Sequence, residues 1–244
     1  MKPQIHIDKD FGWFIGQFDN NQKHRHYALQ LSIPIDGSIC IKSSGISLET
    51  ASPVLIKPNV VHQITSNSSH FLLLVNPAST VGHFWNQISL NEMEEIQNPV
   101  SEHLKEVLRD KKPSLEDHLN KIINENDCWC DAVVHRGDER INKALSYLSH
   151  HFDRVVSLEE IAHYCHLSSG RFLHLFKEET GITYRRLQLW NKLTKAFPQL
   201  TKKSLTEIAH HNGFADSAHL SRAFKENFGF TPREFIKISQ FIQV

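Results

Sequence analysis

Apolar residues come in short alternating or β-branched runs over the first ninety positions, and then the period lengthens. The runs "IHID", "FGWFIGQF", "YALQLSIPI", "SICIKSSG", "SPVLIKP" and "FLLLVNP" are separated by Asp-Asn, Asp-Gly and Pro. Short strands with such punctuation predict a small antiparallel barrel or sandwich. "PIDGSI" predicts a hairpin, because Asp36-Gly37 suits the positive φ values of a type I′ turn.

Helical spacing follows. "SEHLKEVLRD" puts Leu104, Val107 and Leu108 on one face, and "SLEDHLNKIINEN" does so with Leu115, Leu119, Ile122 and Ile123. Ser114 with Asp117 predicts an N-terminal cap, and Pro113 separates the two helices. They are either a hairpin lying on the barrel or a dimer face. "NENDCWCDAVVHRGD" lacks a stripe and reads as a linker, with Cys128 and Cys130 as a thiol pair or as plain junction packing. From Glu139 onward every segment reads as helix.

Within that helical half one pattern occurs twice. "SLEEIAHYCHLSSGRFLHLFKEETGIT" from Ser157 is matched by "SLTEIAHHNGFADSAHLSRAFKENFGFT" from Ser204, 47 positions on, with one residue inserted at the turn. Both copies predict a capping box (Ser157 with Glu160, Ser204 with Glu207), a short helix, a tight turn and a longer helix. That is helix-turn-helix geometry. Phe172, Leu175 and Phe176 in the first long helix, and Leu220, Ala223 and Phe224 in the second, fall at core spacing. The opposite stripes carry Ser169, Gly170, Arg171, Leu173, His174 and Lys177, and Ser217, Ala218, His219, Ser221, Arg222 and Lys225. Small residues allow close approach to a major groove, Arg can fork onto guanine, and Ser or His can bond base edges or phosphates. These twelve residues are the predicted DNA contacts, with Arg222 the first among them.

"IAHHNGFADSAHLSRAFKENFGFTPREF" resembles the signature of the AraC/XylS family of bacterial transcription regulators. The resemblance covers residues 138–244 and implies two helix-turn-helix units, joined by one linker helix, entering adjacent major grooves. The linker "YRRLQLWNKLTKAFPQL" keeps Leu193, Ala196 and Leu200 at the family spacing, with Lys192 where Arg is commoner. Pro198 late in this run predicts an early end or a kink.

Charge adds one asymmetry. Residues 1–137 hold 12 Lys/Arg and 16 Asp/Glu, whereas residues 138–244 hold 15 and 11, so the second half is the one suited to a polyanion. The first residues show no signal-peptide pattern and no apolar run spans a bilayer, so a cytoplasmic protein without membrane partners is expected.

"HRH" (His24 to His26) with Gln30, and "PNVVH" ending at His62, resemble the two motifs of a cupin barrel. In metal-binding cupins a Glu stands where this chain has Gln30, so no metal and no cofactor is expected. The resemblance is closer to the sensing domains of AraC-type regulators and implies a barrel holding a small organic effector. Trp13, Phe14, His24, His26, Gln30 and His62 are its candidate contacts, with Phe18 a further aromatic. The expected organisation is two-domain: a cupin-like all-β barrel over 1–98, a helical dimerisation or packing segment with linker over 99–137, and an all-α tandem helix-turn-helix domain over 138–244. The expected function is a DNA-binding transcription regulator, an activator by family habit, partnered by double-stranded DNA, an effector and, as an open option, a second copy. The alternative is a metal-dependent cupin enzyme fused to a DNA-binding tail.

Overall fold

Val, Ile, Leu and Phe in the N-terminal runs make strands because both faces of their pleat find cover. A computed structural model of the chain describes residues 4–17, 22–110, 114–126, 138–152, 154–228 and 230–240, without the side chains of 237–240. Phe18 and the Cys128/Cys130 pair lie outside the described residues. The strands are β1 (Gln4–Ile7), β2 (Phe11–Gly16), β3 (Leu29–Pro34), β4 (Ile39–Ser43), β5 (Ile46–Thr50), β6 (Val54–Ile56), β7 (Gln63–Ser66), β8 (His70–Val75) and β9 (Met93–Glu95). They form two antiparallel sheets, one of order β1-β2-β8-β3-β6-β9 and one of order β5-β4-β7.

No closed barrel forms among the described residues, which corrects the expected closure. β3 pairs with β6 and β8 while β4 pairs with β5 and β7, so the segment between β3 and β4 crosses from one sheet to the other. The predicted "PIDGSI" hairpin therefore does not exist. Only Gly37 has positive φ there, and a type I′ turn needs two such residues. The tight turn sits one strand later. Ser44 (φ 41°) and Gly45 (φ 84°) join β4 to β5, with Ser43 opposite Ile46.

Alternation along β2 sends neighbours to opposite faces. Trp13 goes beneath α1 (Thr80–Gln87), α2 (Pro99–Asp110) and α3 (Leu115–Glu125), whose Leu104, Leu108, Leu119 and Ile123 share its core. Trp13 Nε1 donates to Asn120 Oδ1 of α3 at 2.8 Å. The apolar stripes of α2 and α3 are thus covered by the larger sheet. Ser114 makes no cap: its hydroxyl pairs with His118 Nδ1 at 2.9 Å instead of a backbone N–H.

The other face of β2 and β8 carries Phe14, Leu72 and Leu74, and these are buried in one core with the C-terminal helices. Those helices are α4 (Glu139–His150), α5 (Leu158–Tyr164), α6 (Ser169–Thr180), α7 (Tyr184–Ala196), α8 (Leu205–His211), α9 (Ser217–Phe228) and α10 (Pro232–Gln240). Phe14 meets Phe197 and Phe230 edge-on, with ring centroids 5.9 and 6.1 Å away, and Tyr27 packs on Trp190 at 5.5 Å. Consequently the open side of the larger sheet is closed by the helical half.

Candidate nucleic-acid interface

The repeat in sequence is a repeat in bonding. At the end of α5 the N–H groups of His166 and Leu167 reach His163 O and Ala162 O at 3.0 and 2.9 Å. At the end of α8 the N–H groups of Gly213 and Phe214 reach His210 O and Ala209 O at 3.2 and 2.8 Å, the same pattern 47 residues on. The six-to-one bond in each pair is the C-capping arrangement that needs a left-handed residue. Gly213 supplies it at φ 71°, and His166 takes it at φ 54° despite its Cβ. Each second helix then starts from an oxygen: Ser168 Oγ accepts from Arg171 N at 3.3 Å, and Asp216 Oδ1 accepts from His219 N at 2.6 Å.

The first caps differ. Ser204 and Glu207 make both bonds of a capping box. Ser157 Oγ accepts from Glu160 N at 3.1 Å, but the Glu160 carboxylate turns away to Arg154 and to Tyr147 Oη. A charge-assisted pair with Arg outcompetes a neutral backbone N–H for the same carboxylate. That pairing, with the Tyr147 bond, holds the Glu160 carboxyl down at about 2.

One helix spaces the two units. At its N-terminal end α7 is tied to the first unit: Tyr184 Oη donates to Val156 O at 2.8 Å, and Gln188 Nε2 to the same oxygen at 3.1 Å. Further along, Lys192 Nζ donates to Gly213 O in the turn of the second unit at 2.6 Å and sits over the Phe214 ring. Pro198 does end α7 early. A 3₁₀ turn over Phe197–Gln199 takes it at a position where its missing N–H costs nothing, and Phe197 becomes a hub for Phe14, Phe224, Phe228 and Phe235.

The inward residues named from spacing are buried: Phe172, Leu175 and Phe176, and Leu220, Ala223 and Phe224. Gly170, Arg171, Leu173, His174 and Lys177 are exposed on α6, as are Ala218, Arg222 and Lys225 on α9. Ser169, Ser217, His219 and Ser221 are half-buried. Two of these are already bonded internally. Ser221 Oγ donates to Ser217 O at 2.7 Å, and His219 Nδ1 accepts from Ala215 N at 3.3 Å with its ring edge-on to Phe214. Leu173, 40 % exposed, is an apolar tip on an otherwise polar face.

The six candidate effector contacts separate into three places. Trp13 and Phe14 lie on opposite faces of the sheet. His24, His26, Gln30 and His62 come together where an isolated bridge pairs His24 with His62. One ring nitrogen from each His lies within 4.8 Å of the others. The Nδ1 atoms of His24, His26 and His62 lie 2.8, 2.8 and 3.0 Å from the carbonyls of Gln22, Ala28 and Val60. Burial lowers all three pKa values, His26 to about 4 and His62 to about 2, with the neighbouring imidazoles pushing those two further in the same direction. A neutral ring whose Nδ1–H donates to a carbonyl leaves Nε2 as an acceptor. Gln30 Oε1 lies 2.8 Å from His26 Nε2 and 3.3 Å from His62 Nε2, and Gln30 Nε2 donates to Ser32 Oγ at 3.1 Å. An oxygen cannot bond two acceptor nitrogens, so with both rings neutral the amide is turned over, its NH₂ meeting the two imidazoles and its oxygen accepting from the Ser32 hydroxyl. In that state the carboxamide hydrogens hold two of the three lone pairs a metal would need.

Two cavities lie between the halves. One, of about 880 Å³, is bounded by residues 22–25 on the sheet side and by α7 and α9 on the other. The second, of about 800 Å³, has Asp10, Asn76 and Ser79 facing Asn142 and Asn191. Burial, the largest effect on it, raises the pKa of Asp10. Sequence reasoning did not foresee the first cavity. Arg185-Arg186 was legible as a basic pair, but nothing in the order of residues places Lys23 and Arg25 across from α9.

Residues 161–238 match the family model described as "Helix-turn-helix domain". RhaS of Enterobacter sp. (strain 638), named an HTH-type transcriptional activator, is 36 % identical over 103 residues, which are 41 % of this chain and 37 % of that one. The chain thus matches little more than a third of the length of RhaS. LumQ of Photobacterium leiognathi, a probable transcriptional regulator, is 25 % identical over 87 % of this chain and 90 % of its own. An apo form of ToxT from Vibrio cholerae shares the fold, with a TM-score of 0.60 and 14 % identity over 96 % of this chain and 99 % of that one. The C-terminal part of this chain thus carries a helix-turn-helix domain.

Proposed function

We propose that the protein is a sequence-specific DNA-binding transcription regulator, acting as an activator in the bacterial cytoplasm, whose N-terminal half responds to a small-molecule effector. The observation that carries this is the duplicated unit: the same turn bonds and buried triad occur in both copies, and each copy leaves a small, polar and basic helix face uncovered. A solvated face explains one such helix but not two in one phase. In this reading residues 1–98 are the cupin-like sensing part, 99–137 a packing segment and 138–244 the reading part. Because α2 and α3 spend their apolar stripes on the sheet, a homodimer would use another surface.

ToxT has been crystallised with an unsaturated fatty acid bound. An effector of this chain placed in the 800 Å³ cavity would touch both halves, which is what coupling sensing to reading requires. The enzyme alternative is disfavoured by Gln30, which stands where a metal site would need a carboxylate and whose turned-over amide occupies the Nε2 atoms of His26 and His62. Among the described residues no helix is long and apolar enough to cross a membrane.

The test is selection of genomic fragments by the full-length protein, followed by titration of the best fragment at several salt concentrations. The expected site is asymmetric and about two helical turns long, with log K falling linearly in log salt. Retention of random fragments as strongly as genomic ones would refute the reading.

A further inference from the structure

The cavity of about 880 Å³ between the halves is lined by six cations. Lys23 and Arg25 stand on the N-terminal wall, Arg185 and Arg186 at the start of α7, and Arg222 and Lys225 on the outer face of α9. One acid, Glu226, shares the lining. None of the six is in a salt bridge with a carboxylate among the described residues; the nearest compensation is a through-space effect of Arg222 on Asp216.

We infer that this cleft receives the phosphate backbone of the duplex read by α9, so that the N-terminal half is itself part of the DNA interface. The inference rests on the DNA-binding reading above. Charge decides the class of occupant. Five net positive charges facing each other across low-dielectric walls call for several negative charges, and a monoanionic effector neutralises one of them. A duplex brings one negative charge per ~1.7 Å of axis. Continuity decides the source. Arg222 and Lys225 belong to the same exposed face of α9 that carries Ala218, and a helix lying in a major groove ~12 Å wide has a sugar-phosphate strand along each side. Arg185 and Arg186 extend the cationic track from α9 onto the linker helix, and Lys23 and Arg25 meet it from the opposite wall. Binding DNA then also screens the repulsion between the two halves, so the duplex holds them in one arrangement.

The experiment compares wild type with Lys23→Ala/Arg25→Ala and with Lys23→Glu/Arg25→Glu, all as full chains, on the selected fragment. Both positions are exposed, so the variants fold; circular dichroism checks this. With two phosphates no longer neutralised by the protein, the slope of log K against log salt becomes shallower by about 1.8. The charge reversal weakens binding further, and the protected footprint shortens on one side. An unchanged slope in both variants overturns the inference while leaving the DNA-binding reading intact, because the wild type still selects its site. Tighter binding by the alanine variant also overturns it, since the N-terminal wall would then be competing with DNA for the cleft. Wild type that selects no fragment sinks the underlying reading, and this inference with it.

Discussion

Acidification from pH 7.5 to 5 should destabilise this protein, for a reason located in three buried imidazoles. His26, His62 and His70 are nearly inaccessible, and burial is the largest cause of their lowered pKa values, about 4, about 2 and about 4. An unfolded His titrates near 6.5, so as pH falls the unfolded chain takes up protons before the folded one does. Stability is therefore full above pH ~6.5 and falls through the window from ~6.5 to ~4, where His26 and His70 begin to charge in the fold. Each unit of pH below 6.5 costs ~1.4 kcal/mol per group, or ~2 kcal/mol at pH 5. Three groups together approach ~6 kcal/mol, comparable with the ~5–15 kcal/mol that holds a typical domain. Asp10, whose carboxyl burial pushes up, works in the opposite direction but is one group against three. Asp138 and Glu160, held at about 2 mainly by their Arg partners, lose their contribution only as pH falls below the ordinary carboxylate range, so the window from 6.5 to 5 isolates the histidines. Urea unfolding followed by tryptophan fluorescence at half-unit steps measures it, since Trp13 and Trp85 are buried in the N-terminal half. A midpoint unchanged between pH 7.5 and 5 would refute the reasoning.

Three further outcomes are expected. Arg222→Ala should lose ~1–3 kcal/mol at the selected site and relax specificity at one base pair; a variant that binds specific and random DNA as the wild type does would show that α9 presents another face. His166→Gly should raise stability by about 1 kcal/mol, because a left-handed residue with a Cβ costs ~1–2 kcal/mol that glycine avoids; a lower thermal midpoint would contradict this. Gly82→Ala should destabilise the N-terminal half by more than ~2 kcal/mol, since the added Cβ would fall 2.7 Å from Pro77 Cα and closer still to Asn76 O, both backbone atoms; an unchanged urea midpoint would mean that α1 can shift.

The legible parts were those written in local periodicity. The tandem units could be read because every turn of helix contributes a buried position and every helix of the two units starts from a Ser or Asp, and these recur at a fixed offset. The six inward residues of α6 and α9 followed from spacing alone, and Pro198 marked the end of α7. Local competition already blurs such readings: Glu160 was placed in a capping box by its spacing, but Arg154, six residues earlier, draws its carboxylate away. The strands were harder. β7 and β9 are short and mostly polar, β5 is largely exposed, and the hairpin signal at Asp36-Gly37 was outweighed by pairing partners distant in the chain.

Alternation along β2 required Trp13 and Phe14 to face opposite ways, but it did not say what covers each face. That was settled by α3 on one side and by Phe197 and Phe230 on the other. In the same way "HRH" and "PNVVH" could be seen as histidine-rich, but only the fold shows three imidazoles gathered together, two of them on one carboxamide. The amino-acid order by itself determined the helices of the C-terminal half and the duplicated helix-turn-helix unit, because those depend on neighbours within a few residues. The tertiary structure decided the open pair of sheets, the closing of one of them by the helical half, and the meeting of Lys23 and Arg25 with Arg222. Those depend on contacts between segments far apart in the chain, whose energies no local pattern encodes.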